Sequence, residues 1–279
     1  MKPSITFIGA GNMAQALIGG LLRNHHPASR LIAADPSADI REHIQGQFSI
    51  RTLADNAKAV AQADAVVLAV KPQIMDRVLE SISDTIEPQA LVISVAAGIP
   101  VQRLKEKLGA EFGIVRVMPN TPALIGFGAT GLFADRGCNQ AQRELAIDIF
   151  HAVGEVARIE DESLMDAVTA VSGSGPAYFF ALTEALTEAG INAGLPVETA
   201  RLLAQQTAAG AGAMLSQPGA DAATLRERVT SPGGTTAAAL DAFAKRDLTT
   251  VVAEAVEAAI SRGRELASQT SEAAARSAK

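Results

Sequence analysis

Ile5-Thr6-Phe7-Ile8-Gly9-Ala10-Gly11-Asn12-Met13-Ala14 settles the architecture of the first half of this chain. A short apolar run, Ser4–Ile8, stops at two glycines in the pattern G-x-G-x-x-A, and an amphipathic stretch, Met13–Asn24, follows at once. Each position has a mechanical reason. Gly9 permits the tight turn, Gly11 lets a pyrophosphate approach the backbone, and Ala14 lets the helix pack closely on the strand. The start of the helix adds unpaired N–H groups aimed at the anion. Alone the pattern is weak; a strand before it, a helix after it and an acid at the end of the second strand strengthen it. That acid is Asp35. It has two readings: a turn residue in Asp35-Pro36-Ser37 that caps the next helix, or a carboxylate beside the adenosine ribose. In the second reading it bonds the 2′-hydroxyl of NAD and repels the 2′-phosphate of NADP.

Outward from this loop, short apolar runs alternate with helical stretches, the signature of βαβ units and a parallel sheet. Ser4–Ile8, Leu31–Ala34, Ala65–Val70, Leu91–Val95 and Ile114–Val117 read as strands apolar on both faces, as strands covered by helices on either side must be. Met13–Asn24, Ser37–Gln45, Asn56–Gln62, Gln73–Ser83 and Val101–Leu108 read as the intervening helices. Breakers stand after the strands at Gly9-Ala10-Gly11, Lys71-Pro72, Gly98 and Pro119–Pro122. Those are carboxyl ends, the side on which open α/β sheets bind ligands. Gly126–Phe133, a helix over Ala141–Phe150 and a strand over Glu155–Ile159 complete a dinucleotide-binding domain spanning residues 1–160.

From Asp161 the texture turns to alanine-rich helix with no strand, which predicts an all-α second domain over residues 161–279. Phe179, Leu182 and Leu186 follow helical spacing, with Ala181, Ala185 and Ala189 as a second, small-residue stripe. Val251, Val252, Ala255, Val256, Ala259 and Ile260 pair off at intervals of four. A domain of this size has limited core of its own, so part of this apolar surface is expected to be buried between subunits. The polar tail, Ser268–Lys279, is expected to fray.

The composition narrows the function. With 279 residues, 48% of them hydrophobic, and a net charge of −6, the chain reads as a folded protein of about two domains. One cysteine, Cys138, allows no internal disulfide and no cysteine-built zinc site, which suits a reducing cytoplasm. The N-terminal stretch has no secretory h-region, and no run reaches membrane-spanning length. The first 160 residues hold 15 Lys/Arg against 16 Asp/Glu and the rest 9 against 14, so neither part offers a basic footprint for nucleic acid. A small-molecule role remains.

Two further segments carry chemistry. Ser172-Gly173-Ser174-Gly175-Pro176 precedes a long helix and reads equally as a simple helix break. Thr230-Ser231-Pro232-Gly233-Gly234-Thr235-Thr236 also precedes a helix, and supplies backbone N–H and hydroxyl donors suited to a small carboxylate; an ordinary N-cap turn explains it as well. Residues 152–244 hold no histidine and no lysine. Reducing a ketone leaves an oxyanion that needs a proton, whereas a protonated imine accepts hydride and leaves a neutral amine. The gap favours C=N over C=O reduction. His25, His26, His43 and His151 read as surface residues.

At this point the sequence resembles the pyrroline-5-carboxylate reductase family. The resemblance runs through FIGAGNMA (Phe7–Ala14), AVKPQ (Ala69–Gln73), SVAAGIP (Ser94–Pro100), RVMPNTPA (Arg116–Ala123), DAVTAVSGSGPAYFF (Asp166–Phe180) and VTSPGGTTAAAL (Val229–Leu240). It implies reduction of L-1-pyrroline-5-carboxylate to L-proline with NADPH or NADH, a Rossmann domain followed by a helical dimerisation domain, and dimers that assemble into larger rings. Cofactor contacts are implied at Ile8, Gly9, Ala10, Gly11, Asn12 and Met13, at Asn56, at Ala69, Val70, Lys71 and Pro72, at Val95, Ala96 and Ala97, and at Asn120 beside the nicotinamide. Substrate contacts are implied at Ser231, Gly234, Thr235 and Thr236, with the Thr236 hydroxyl bonding the ring nitrogen, and at Glu162, reaching a partner's site. Members that prefer NADPH tend to carry hydroxyl residues where Asp35 stands. A β-hydroxyacid dehydrogenase shares the two-domain plan but needs a catalytic lysine, and none lies between Lys107 and Lys245. A non-catalytic nucleotide sensor would bind the cofactor without the anion-binding loop.

Overall fold

A computed structural model of the chain describes residues 2–277, with side chains as far as residue 268. Eight strands form one sheet: β1 (Ile5–Ile8), β2 (Leu31–Ala34), β3 (Arg51–Leu53), β4 (Ala65–Leu68), β5 (Leu91–Ser94), β6 (Ile114–Met118), β7 (Gly128–Ala134) and β8 (Gly154–Ile159). Their order across the sheet is β3-β2-β1-β4-β5-β6-β7-β8. Every pairing is parallel except β6 with β7. The connecting helices are α1 (Asn12–Arg23), α2 (Ala38–Phe48), α3 (Asn56–Val60), α4 (Met75–Ile82), α5 (Val101–Leu108) and α6 (Gln140–His151).

The five expected strands form within two residues of their predicted ends. β3 went unpredicted because three residues beginning with an exposed arginine show no apolar run. Local chemistry sets several helix starts. The Ser37 hydroxyl accepts from Ile40 N–H to open α2, Asp55 accepts from Lys58 N–H to open α3, and Asn139 with Gln142 forms a capping box on α6.

Alternation along the buried strands divides the core into two layers. Ile5, Phe7, Ala65, Val67, Leu91 and Ile93 face a cluster completed by Leu17 and Ile18 of α1 and Ile149 and Phe150 of α6. Ile8, Val66, Leu68 and Val92 face the other, completed by Met75, Leu79 and Ile82 of α4 and Leu104 of α5. Thr6, buried within the sheet, satisfies its hydroxyl on Ala59 O at 2.8 Å.

After Ile159 the described chain is helical: α7 (Met165–Val168), a π-helical turn over Thr169–Gly173, α8 (Gly175–Asn192), α9 (Val197–Leu215), α10 (Ala222–Arg228), α11 (Thr235–Lys245) and α12 (Leu248–Ser277). α12 carries the tail expected to fray on as helix to Ser277; its alanines favour that state. Residues 278 and 279 lie outside the described residues. Compact packing divides the chain at different points from the change in texture at residue 160. Unit 1 comprises residues 1–174 and 259–279, and unit 2 comprises residues 175–258. The reason is visible in the bonds of the intervening segments. Glu162 bonds into unit 1 at Val101 N–H and Arg116, Ser172 O accepts from Asn120, and Arg264 lies 3.9 Å from Asp166. In unit 2, Phe179 and Phe180 are 65% and 67% exposed in the single chain, together with Leu182, Leu202 and Val251, so this surface calls for a partner.

The histidines are not all superficial. His25 takes a left-handed backbone conformation that turns His26 inward, where it is 6% exposed. Its Nε2 lies 3.0 Å from Pro3 O, which can only accept, so Nε2 is the donor there. Burial, with Lys2 adding to it, holds the imidazole pKa below its ordinary value against the opposing effect of the Pro3 bond. A base with a lowered folded-state pKa stabilises the fold above its unfolded value. That stability is lost as pH falls below about 6.5, because the unfolded chain binds the proton first. His26→Gln, which keeps a donor for Pro3 O without titrating, is expected to flatten the fall in urea-unfolding midpoint between neutral and mildly acid pH. Leu17→Ala empties a fully buried site in the first core layer. It should cost about 2–5 kcal/mol in denaturant unfolding while leaving the far-UV CD spectrum native.

Candidate active site

The strand order reverses direction of growth at β1, which lies between β2 and β4. The carboxyl ends of these strands therefore open the crevice where doubly wound sheets bind ligands. Gly9 N–H donates to Ala34 O at 2.8 Å, and Ala69 N–H donates to Ile8 O at 2.8 Å. Gly9 sits at φ +90°, and a Cβ there would lie 2.5 Å from Ala69 O, so no other residue fits. Gly11 differs: a Cβ built on it meets nothing within 4 Å, which shows open space in front of α1. Gly11 is also the N-cap of α1 and provides no side-chain cap. The first-turn N–H groups face that space without a side-chain partner at the cap, and no acidic residue occupies the first turn. Room and donors together fit the pyrophosphate of a dinucleotide.

The remaining cofactor positions gather at the same edge. Ile8 and Ala10 have buried side chains and offer only backbone; Asn12 is exposed and Met13 partly so. Ala69, Val70, Lys71 and Pro72 follow β4, with Lys71 exposed. Val95, Ala96 and Ala97 follow β5, and Ala96 N–H is bonded to the Ser94 hydroxyl. Asn56 opens α3 after β3, its amide donating to Ser81 Oγ at 3.1 Å. Asp35 fulfils the turn reading only in part: it accepts from Ser37 N–H within its own turn, but the cap of α2 is Ser37, and its other oxygen accepts from Ala10 N–H in the glycine loop.

Asn120, 9% exposed at the end of β6, donates to Ser172 O at 3.1 Å and accepts from Ala129 N–H at 2.9 Å. It thus braces the π-helical turn against the sheet. Single π turns inside helices are frequent at functional sites. Glu162 has partners that sequence reasoning missed. Its Oε1 accepts from Val101 N–H at 2.8 Å, at the start of α5, and from Arg116 Nη1 at 2.5 Å. Arg116 lies within β6 and is 8% exposed, and its Nε has no partner among the described residues. A lone arginine in an apolar strand was the available signal, since a buried charge demands a counter-charge.

In unit 2, the Ser231–Thr236 segment forms the expected turn. Gly233 sits at φ +71°, Gly234 N–H bonds Ser231 O at 3.0 Å, and Gly234 is the N-cap of α11 with no side-chain cap bond. Ser231 and Thr235 are exposed and Thr236 is partly buried. The loop therefore presents uncapped helix N–H groups and hydroxyls together. Nucleophilic thiol chemistry is unsupported: burial pushes the Cys138 thiol up to about 11, and its Sγ is bonded to Ile114 O. A cavity of about 320 Å³ at the opposite end of the strands, among Lys2, Leu21, His26 and Asp148, holds none of the expected site residues.

A family model described as NADP oxidoreductase, coenzyme F420-dependent, matches residues 4–98. Fold and glycine loop together define a dinucleotide-dependent oxidoreductase of the doubly wound class. A second model, described as pyrroline-5-carboxylate reductase dimerisation, matches residues 162–266. Pyrroline-5-carboxylate reductase of Pseudomonas aeruginosa is 49% identical over 267 residues, covering 96% of this chain and 98% of the relative. The structure of a pyrroline-5-carboxylate reductase from Coxiella burnetii superposes with a TM-score of 0.91 at 40% identity, covering 95% of this chain and 99% of that one. That of Plasmodium falciparum pyrroline carboxylate reductase with NADP bound gives 0.82 at 32% identity, covering 96% and 99%. The chain belongs to the pyrroline-5-carboxylate reductase family. Among the described residues no helix is long and apolar enough to cross a membrane.

Gly9→Ala is expected to weaken NAD(P)H binding at least tenfold in a fluorescence titration. Gly11→Ala, whose added methyl meets no protein atom, should leave thermal stability unchanged and affect only the cofactor.

Proposed function

We propose that this chain reduces L-1-pyrroline-5-carboxylate to L-proline, the last step of proline biosynthesis. The observation that carries the reading is the presence in one chain of two helices that begin at a glycine N-cap with no side-chain cap bond: Gly9–Met13 at the switch point of a dinucleotide-binding sheet, and Ser231–Thr236 rich in hydroxyl donors. The dihydronicotinamide of NAD(P)H supplies the hydride when bound. Everything else is positioning and electrostatics. The pyrophosphate rests on the N–H groups that follow Gly11, with Lys71 as a cation at the same sheet edge. The substrate carboxylate rests on the first-turn N–H groups of α11 and the Ser231 hydroxyl, and Thr236 bonds the ring nitrogen. Hydride adds to the imine carbon of the protonated ring and the π electrons move to nitrogen, leaving a neutral secondary amine. No strong acid is required, in keeping with the absence of histidine and lysine from residues 152–244. Glu162, its carboxylate oriented by Arg116 and Val101 N–H, reaches a partner's substrate site in this reading, and Asn120 belongs to the nicotinamide end.

Residues 161–279 form the substrate-binding and dimerisation region in this reading. The exposed apolar faces of α8 and α9 support a homodimer, and the family resemblance extends this to dimers assembled in a ring, which light scattering of the purified chain would measure. A single buried thiol and a nicotinamide requirement suit the cytoplasm.

Nicotinamide oxidation on adding pyrroline-5-carboxylate tests the reaction directly; cofactor binding without turnover would instead support a nucleotide sensor. Thr236→Ala should lower kcat/KM by about 10–100-fold, the loss of a hydrogen bond worth about 1.5–3 kcal/mol to a charged group. Thr236→Ser should retain most of the activity. Full activity in the alanine variant would remove Thr236 from the mechanism.

A further inference from the structure

The turn after β2 contains a carboxylate whose bonding lies entirely within unit 1. Asp35 N–H donates to Leu53 O at 3.1 Å, tying the turn to β3. Asp35 Oδ2 accepts from Ala10 N–H at 3.1 Å, in the middle of the glycine loop, and Oδ1 accepts from Ser37 N–H at 3.0 Å. A carboxylate has about four acceptor positions. Each oxygen therefore keeps a lone pair, and the group is held rigidly against the loop that receives the cofactor.

The nearby cation is bonded to the main chain rather than to this carboxylate. Arg41, in the first turns of α2, donates from Nη1 to two carbonyl oxygens, Asp35 O and Pro36 O, both at 2.8 Å. Among the described residues, no ion pair reaches the Asp35 carboxylate. Asp39 adds a second acid in the first turn of α2. In a doubly wound fold the end of the second strand meets the adenosine ribose, where a 2′-hydroxyl donates to a carboxylate and a 2′-phosphate is repelled by it. Accommodating the phosphate takes a guanidinium turned to it; Nη1 of Arg41 is committed to main-chain oxygens, and Arg41→Ala measures what its remaining donors contribute.

We propose that Asp35 makes this chain selective for NADH over NADPH, with the same carboxylate latching the glycine loop through Ala10 N–H. The proposal rests on the reductase reading for its kinetic test and on binding alone for its other test. Charge and latch are separable. Asp35→Asn keeps one acceptor oxygen and removes the charge, so weakening of the latch lowers affinity for both cofactors alike, and their ratio reports the charge.

The test measures Kd for NADH and for NADPH by nicotinamide fluorescence on the full chain, at two salt concentrations, with kcat/KM for each cofactor on pyrroline-5-carboxylate in parallel. Wild type should bind NADH at least tenfold more tightly, with the gap narrowing at higher salt. Asp35→Asn should move the ratio at least tenfold toward NADPH and remove its salt dependence. Arg41→Ala should leave the ratio within about twofold of wild type. A wild-type preference for NADPH, an unchanged ratio in Asp35→Asn, or a preference lost only in Arg41→Ala would each overturn the proposal. Selective NADH binding without turnover would overturn the reductase reading and leave this selectivity standing.

Discussion

The first strand of the sheet is hydrogen-bonded on both sides, and at its end the chain must turn in a space that admits no side chain. Gly9 N–H is held by Ala34 O, Ala69 N–H is held by Ile8 O, and a Cβ at Gly9 would enter the Ala69 carbonyl. Much else follows from that constraint. The turn aims α1 back across the sheet, Ala14 and Leu17 seal the contact, and the opened crevice falls where strand order reverses. The same crowding that forces a glycine at position 9 leaves the space before Gly11 open. Packing and ligand access are thus decided within three residues.

Both candidate binding loops use one physical device. A helix begins at a glycine that provides no side-chain cap, leaving N–H groups to an anion from outside. Ser37, Asp55, Asn139 and Asp221 cap other helices with their side chains, while α4, α5 and α9 begin at Ile74, Pro100 and Pro196 without such a cap. What sets Gly11 and Gly234 apart is a glycine at the cap position itself, which leaves no side chain to compete with a ligand for the same donors.

Unit 1 also holds a bracing network that motif reading could not have assembled. Arg116 extends from an interior strand to Glu162, Glu162 also closes the N-terminus of α5, and Asn120 pins the π-helical turn to the sheet. A buried arginine left without its carboxylate would be strongly unfavourable, so the pair makes the position of the 162–174 segment depend on the sheet. That is why the first stretch of unit 1 runs on to Ser174 although the last strand ends at Ile159.

The sequence by itself determined the parallel sheet, its helices and the dinucleotide loop, because apolar periodicity, glycine spacing and caps are local and act over a few residues. It also carried the hydroxyl-rich turn at Ser231–Thr236, whose donors come from consecutive positions. Tertiary structure alone decided what depends on distant partners. β3 exists because β2 offers it an edge, and the partner of the buried His26 is the Pro3 carbonyl, 23 residues away. Asp35 shows the same division. Turn capping uses Ser37 N–H, while the second oxygen reaches Ala10, 25 residues away, and such a bond has no signature along the chain.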